Sequence, residues 1–205
     1  MRVLVSQRMD FLSSRREYRD SIDQELISWL VNKNYFPILI PNKLLDTKLK
    51  NEFLLKWINE IKPNFLLLTG GNDIGEFNIK DQTEYFLLDW AKKNNIPSLG
   101  ICRGMQVMGT FFGGKLEKLN GHLRKKHRLI SEINFFDKRF VNSFHQYGFL
   151  KCPPFFKVLA KSNDGVIEAV SHEELNWEGW MWHPERENNK KLDTERLLKI
   201  FKNEK

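Results

Sequence analysis

An apolar run from Ile96 to Ile101 meets Cys102 and passes straight into a helix-like stretch, Arg103 to Phe112. Gly100 and Gly104 flank the cysteine with one residue between on each side. That spacing is the one of a nucleophile elbow, with sulfur in place of oxygen. A nucleophile on a sharp strand-to-helix turn sits in strained backbone. Its neighbours must be tiny so that strand and helix can approach. The helix N-terminus then lies beside the sulfur, where its positive end favours thiolate and the next backbone N–H faces an oxyanion. The alternative is an inert buried cysteine in a tight turn.

A cysteine nucleophile needs a base, and the base needs an orienting group. His183 follows an apolar stretch, Trp180 to Trp182, that reads as a strand. Glu185 lies two residues on, so a carboxylate can reach the second ring nitrogen, and Pro184 stiffens the step between them. A lone His-Pro-Glu is otherwise a surface turn.

Four motifs stand in order: Thr69 to Asp73 (Thr-Gly-Gly-Asn-Asp), Gly100 to Gln106 (Gly-Ile-Cys-Arg-Gly-Met-Gln), Asn142 to Gln146 (Asn-Ser-Phe-His-Gln) and Trp182 to Glu185 (Trp-His-Pro-Glu). Together they resemble the class I glutamine amidotransferase family, in particular its free-standing γ-glutamyl hydrolases. The similarity covers nearly the whole chain. It implies an α/β fold of flavodoxin-like type: a mostly parallel central sheet covered by helices on both faces, with strands added in the C-terminal half. It also implies a thiol amidohydrolase with Cys102, His183 and Glu185 as catalytic residues and a γ-glutamyl thioester on Cys102. By the same resemblance the backbone N–H groups of Gly71 and Arg103 form the oxyanion hole. Gln106, Ser143, Phe144 and His145 would bind the glutamyl moiety. Losing one oxyanion donor costs about 3–4 kcal/mol of transition-state stabilisation. The sequence departs from the branch at His145-Gln146, where many members carry two adjacent histidines, and at Asp73 to Asp81, a short segment that leaves the site open to a bulky substrate. Lys80-Asp81 through Glu84 still looks like the family's basic-Asp-x-x-Glu helix opening.

A chain of 205 residues with an ordinary 41% apolar share fits one domain, residues 1–205. The formal net charge of +7 raises nucleic acid as a partner. No basic stripe interleaved with aromatics supports it, so no nucleic acid is expected. Two cysteines are too few for a disulfide framework. No signal pattern or membrane-length apolar run is seen, which implies a cytoplasmic protein without membrane contact. No His, Cys, Asp or Glu cluster has metal-ligand spacing, so neither metal nor cofactor is expected. His122, His127 and His172 read as satisfied surface or loop histidines.

Strands are expected at Arg2 to Gln7, Phe36 to Ile40 and Phe65 to Leu68, alternating with helices. One helix carries Ile22, Leu26, Trp29 and Leu30; the next carries Leu49, Phe53, Leu54, Trp57 and Ile61; a third spans Asp81 to Asn95. Such alternation gives a parallel sheet with its ligand site outside the carboxyl ends of the strands, where Gly70, Gly71 and Cys102 all sit. After Gly113-Gly114 short strand-like runs dominate: His127 to Ile130, Glu132 to Phe136, Phe155 to Lys161 and Val166 to Val170. A last helix spans Leu192 to Phe201.

Arg8 to Arg19 reads as a polar loop leaving the carboxyl end of the first strand, with Arg8, Arg15, Arg16 and Arg19. Arginine forks match phosphate oxygens, so Arg8 and Arg19 are candidates to bind a phosphate-bearing leaving group; a solvated basic loop is the plain alternative. The N-terminal half resembles family members of capsule-sugar pathways, with cytidine diphosphoramidate as the expected leaving group. Two other functions stay open: a glutaminase subunit feeding ammonia to a separate synthetase, and hydrolysis of γ-glutamyl amines.

Overall fold

A computed structural model describes residues 1–45, 50–188 and 190–202. In chain order its elements are β1 (Arg2–Val5), β2 (Arg8–Leu12), β3 (Glu17–Ser21), α1 (Gln24–Val31), β4 (Phe36–Leu39), α2 (Lys50–Ile61), β5 (Phe65–Leu68), α3 (Asn78–Lys93), β6 (Ser98–Ile101) and α4 (Arg103–Phe111). There follow β7 (Glu117–Lys118), β8 (Leu123–Ile130), β9 (Phe140–Phe144), β10 (Tyr147–Gly148), β11 (Phe156–Ser162), β12 (Ile167–His172), β13 (Trp177–Trp180) and α5 (Lys191–Lys202). Leu49, assigned above to the second helix, lies outside the described residues.

One nine-stranded sheet runs β4-β1-β5-β6-β13-β12-β11-β8-β9. The first five strands are mutually parallel, and taken in chain order they stand 2-1-3-4-5, the flavodoxin-like arrangement. The four added strands pair antiparallel. Alternation along each strand divides the core. Val3, Val5, Phe65 and Leu67 face a layer made with Leu26, Trp29 and Leu30 of α1 and Leu197, Ile200 and Phe201 of α5. Leu4, Leu66 and Leu68 face the opposite layer, closed by Leu54 and Ile58 of α2, Leu87 and Leu88 of α3 and Met105 and Met108 of α4. Strands buried on both faces explain the unbroken apolar runs in the sequence.

Three expectations are corrected. Arg8 to Arg19 is a hairpin, β2 with β3, rather than a loop. Phe11 packs across it on Tyr18, ring centroids 4.9 Å apart, and within each strand a carboxylate neutralises an arginine, Asp10 on Arg8 and Glu17 on Arg19. Such cross-strand aromatic pairs stabilise a ribbon whose composition alone reads as polar. Glu132 to Phe136 is a run of bends and turns; Phe136 is fully buried there, which produced the apolar signal. Asn142 to Phe144, part of the expected glutamyl-gripping loop, belongs to strand β9.

Candidate active site

Cys102 follows β6 directly and caps α4 at φ 51°, ψ −109°. A non-glycine residue rarely adopts this backbone, which costs on the order of 1–3 kcal/mol. The flanking glycines make it possible. A Cβ on Gly100 would stand 2.5 Å from the carbonyl carbon of Gly104, and one on Gly104 would stand 2.3 Å from the carbonyl oxygen of Leu68. Strand and helix thus touch backbone to backbone. The N–H of Cys102 donates to the carbonyl of Trp180 on β13, 2.7 Å. That bond ties the elbow to the strand that delivers His183.

His183 is 4% exposed and Glu185 3%. Nδ1 of His183 lies 2.6 Å from Oε1 of Glu185. The edge of the imidazole around Nε2 lies beside Cys102, on the far side from Glu185: a point one bond off the Gly70 Cα is 3.3 Å from Nε2 and 3.6 Å from the Cys102 Cβ. Burial opposes charge on the imidazole, but Cys102 on one side and Glu185 on the other outweigh it and raise His183 from 6.5 to about 9. The ring is held between two groups that favour its charged form.

Asn142 fixes the backbone under that ring. Its Nδ2 donates to the carbonyl of His183, 2.7 Å, and its Oδ1 accepts the His183 N–H, 2.9 Å. Glu187 accepts from both the backbone and side-chain N–H groups of Asn142. Phe144 lies edge-on to the imidazole at 5.9 Å between centroids. Ser143 is buried and donates to the carbonyl of His122 at 2.5 Å.

Gly71, Gly70, His183, Glu185 and Arg8 line one cleft of about 280 Å³. Asp10, Asp23 and Arg186 line it too, and each arginine is matched by an aspartate, Arg8 with Asp10 and Arg186 with Asp23. Arg19 is not brought to this cleft; it pairs with Glu17 on the hairpin. Arg16 lines a separate cavity with Tyr18 and Phe77. Gln106, 3% exposed, donates through Nε2 to the carbonyl of Tyr147, 2.8 Å. His145 turns away from Cys102: its Nδ1 meets the same Tyr147 carbonyl at 3.0 Å and its Nε2 faces Glu168 at 3.6 Å.

The Arg103 side chain has a role beyond its backbone N–H. It is 2% exposed and pairs with Asp81 and Glu84 of α3, whose Glu84 also takes the fully buried Lys80 at 2.9 Å. Desolvation lowers Arg103 to about 10 and pushes Lys80 well down, which leaves both dependent on these carboxylates. The quartet locks the first turn of α4 to α3 beneath the elbow. Its trace in the sequence was the Lys80, Asp81 and Glu84 spacing, which sets Glu84 one turn on from both Lys80 and Asp81.

His122 stands in the loop before β8, as expected, whereas His172 ends β12 and is neither a surface nor a loop residue. His122 is 1% exposed and His172 is 6%, so neither is a surface residue. His172 caps a turn through Nδ1, accepting from the N–H groups of Glu174 and Leu175, and packs on Phe112. His122, His127 and His145 converge on Glu168, a set with ligand atoms within 4.8 Å of one another, where the sequence offered no metal-like spacing. Their separation along the chain hid it. His127 lies on β8 and Glu168 on β12, while His122 and His145 stand one residue outside β8 and β9.

An α/β sheet covered on both faces, with a thiol at a strand end beside a carboxylate-held imidazole, carries the parts that nucleophilic thiol chemistry needs. The family model for glutamine amidotransferase class-I matches residues 16–201, and the chain belongs to that family. It is 33% identical over 141 residues to the γ-glutamyl-CDP-amidate hydrolase of Campylobacter jejuni, an alignment covering 65% of this chain and 67% of that one. It is 32% identical over 138 residues to a glutamine-hydrolyzing GMP synthase subunit of Pyrococcus furiosus, covering 62% and 69%. The fold matches the crystal structure of a glutamine amidotransferase from Thermotoga maritima with a TM-score of 0.65 at 18% identity, over 99% of this chain and 83% of that one. Among the described residues no helix is long and apolar enough to cross a membrane.

Proposed function

We propose that this protein is a thiol amidohydrolase cleaving a γ-glutamyl–N bond through a thioester on Cys102. The observation that carries the reading is the His183 imidazole, set with Nδ1 on Glu185 and its Nε2 edge beside Cys102. Cys102 Sγ attacks the γ-carbonyl carbon and forms the C–S bond. The carbonyl oxygen takes negative charge and accepts from the N–H groups of Arg103 and Gly71; the first N–H groups of a helix have no partner within it. As the C–N bond breaks, His183 gives its Nε2 proton to the leaving nitrogen. Water then attacks the thioester, neutral His183 takes the water's proton, and glutamate leaves as Sγ departs. Glu185 fixes the tautomer throughout.

The leaving group is γ-glutamyl-CDP-amidate's cytidine diphosphoramidate, used for capsule polysaccharide modification, and the enzyme works in the cytoplasm as one domain. The Campylobacter jejuni relative and Arg8 in the cleft support this. Asp10 on Arg8 and Asp23 on Arg186 limit the cleft's positive charge, so phosphate recognition rests on Arg8 exchanging Asp10 for the ligand's oxygens rather than on a broad basic patch. The GMP synthase relative supports a second reading, a glutaminase subunit serving a separate synthetase. Steady-state kinetics on γ-glutamyl-CDP-amidate, γ-glutamyl-aminobutyrate and glutamine separate them. A preference for the nucleotide compound that Arg8→Ala reduces sustains the proposal. Inertness on both γ-glutamyl compounds, with glutamine turnover appearing once a synthetase is added, overturns it.

A further inference from the structure

The buried cluster of His122, His127, His145 and Glu168 has no part in the chemistry above. Its donor atoms face one another: Nδ1 of His122, Nε2 of His127, Nε2 of His145 and both carboxylate oxygens of Glu168 are buried and have no hydrogen-bond partner among the described residues. Glu168 is fully buried. Its Oε1 stands 3.4 Å from His122 Nδ1 and 3.6 Å from His145 Nε2. A carboxylate and an imidazolium in direct contact close to about 2.7–2.9 Å. These gaps are wider. They match instead the edge of a tetrahedron of ligands, about 3.3 Å for donors bound at 2.0–2.1 Å to one ion.

The outer atoms fit the same reading. A metal-bound histidine gives its other ring N–H to a carboxylate or a backbone carbonyl. The Nε2 of His122 meets Asp164 Oδ2 at 2.8 Å, and Asp164 is itself held by the Ser162 hydroxyl at 2.5 Å. The Nδ1 of His145 meets the Tyr147 carbonyl at 3.0 Å. Each ring is thereby fixed with its free nitrogen inward. Half-buried His127 lines a surface groove with Lys126, Asn163 and Asp164, which gives an ion a way in.

The geometry points to a closed, four-ligand divalent metal site, of the kind that takes Zn²⁺, built from His122, His127, His145 and Glu168. Three nitrogens and one oxygen suit a borderline ion, and four protein ligands leave no open position, so the site is structural. It would pin β8 and the end of β9 to β12. Tyr147, whose carbonyl meets His145, also accepts from Gln106 of the elbow helix, so the site is linked to that helix.

The test uses the full chain in a Cys102→Ala background, which removes the other thiol-and-imidazole site. Chelator-stripped protein is titrated with Zn²⁺ against a chromogenic zinc indicator, and Co²⁺ is added separately while visible absorption is read. Binding of one equivalent, weakened at least about tenfold by Glu168→Gln and by His127→Ala, is expected. The intense visible bands of tetrahedral Co²⁺ should vanish in both. Far-UV circular dichroism checks each variant's fold; should Glu168→Gln unfold, His127→Ala on its half-buried ring decides alone. Failure of the parent to take up an equivalent of Zn²⁺, or uptake that His127→Ala leaves unchanged, overturns the assignment.

Discussion

Asn142 grips His183 by its backbone on both sides, accepting its N–H at 2.9 Å and donating to its carbonyl at 2.7 Å. A side chain on β9 thus sets where an imidazole after β13 sits. Asn142→Asp keeps the shape and the acceptor but loses the donor, and it faces Glu187 with a second carboxylate. A misplacement of about 1 Å costs roughly a hundredfold in rate. We expect kcat to fall by about ten- to a hundredfold with KM nearly unchanged. A change confined to KM would place Asn142 on substrate instead.

Glu185→Gln removes one of the two groups that raise His183 to about 9. The leaving nitrogen needs a protonated His183, so activity falls as pH rises through about 9. In the variant that limb moves to lower pH, and kcat drops by about a hundredfold or more. Stability follows the same group. A pKa raised above the unfolded value of about 6.5 contributes stability that is fully present below pH 6.5 and is lost as pH rises through 9. Urea midpoints should decline across that window in the native chain and decline less in Glu185→Gln.

Breaking the buried quartet is expected to be costly. Among the described residues, Arg103→Met leaves Lys80 as the one cation on Glu84, and Asp81 without its ion-pair partner. Removing one member of a buried ion pair typically costs about 3–5 kcal/mol. Equilibrium urea unfolding should show a loss of that size, larger than for Arg19→Met, whose ion pair with Glu17 is exposed to solvent.

The elbow stores strain that function requires. Cys102→Gly places at φ 51° the residue that tolerates it, and should gain about 1 kcal/mol in unfolding free energy while abolishing hydrolysis. Cys102→Ala keeps the strained backbone and should not gain. Near-native turnover in Cys102→Ala would remove the thiol from the mechanism.

Legibility in the sequence followed range. The elbow was readable because Gly100, Cys102 and Gly104 are neighbours, and His183 with Glu185 because the pair lies within three residues. Strand β5 was readable to the residue, since a strand buried on both faces is an unbroken apolar run. The hairpin was missed because Arg8 to Arg19 carries charges that pair within the ribbon and only one aromatic pair to mark it. The second role of Arg103, the grip of Asn142 and the gathering of His122, His127 and His145 at Glu168 depend on contacts across 19 to 46 positions of chain. No local periodicity reports those.

Strand β13 lies between β6 and β12, yet every other strand of the sheet precedes it in the chain. It is the seam where parallel pairing gives way to antiparallel. During synthesis the five-stranded order stays open at β6 until Trp177 to Trp180 have left the ribosome. Cys102 therefore waits without its backbone partner Trp180 and without His183 for the time taken to translate about 80 further residues, some 4–16 s at ordinary elongation rates. The order of the strands withholds the imidazole from the thiol of every nascent chain until the sheet can close.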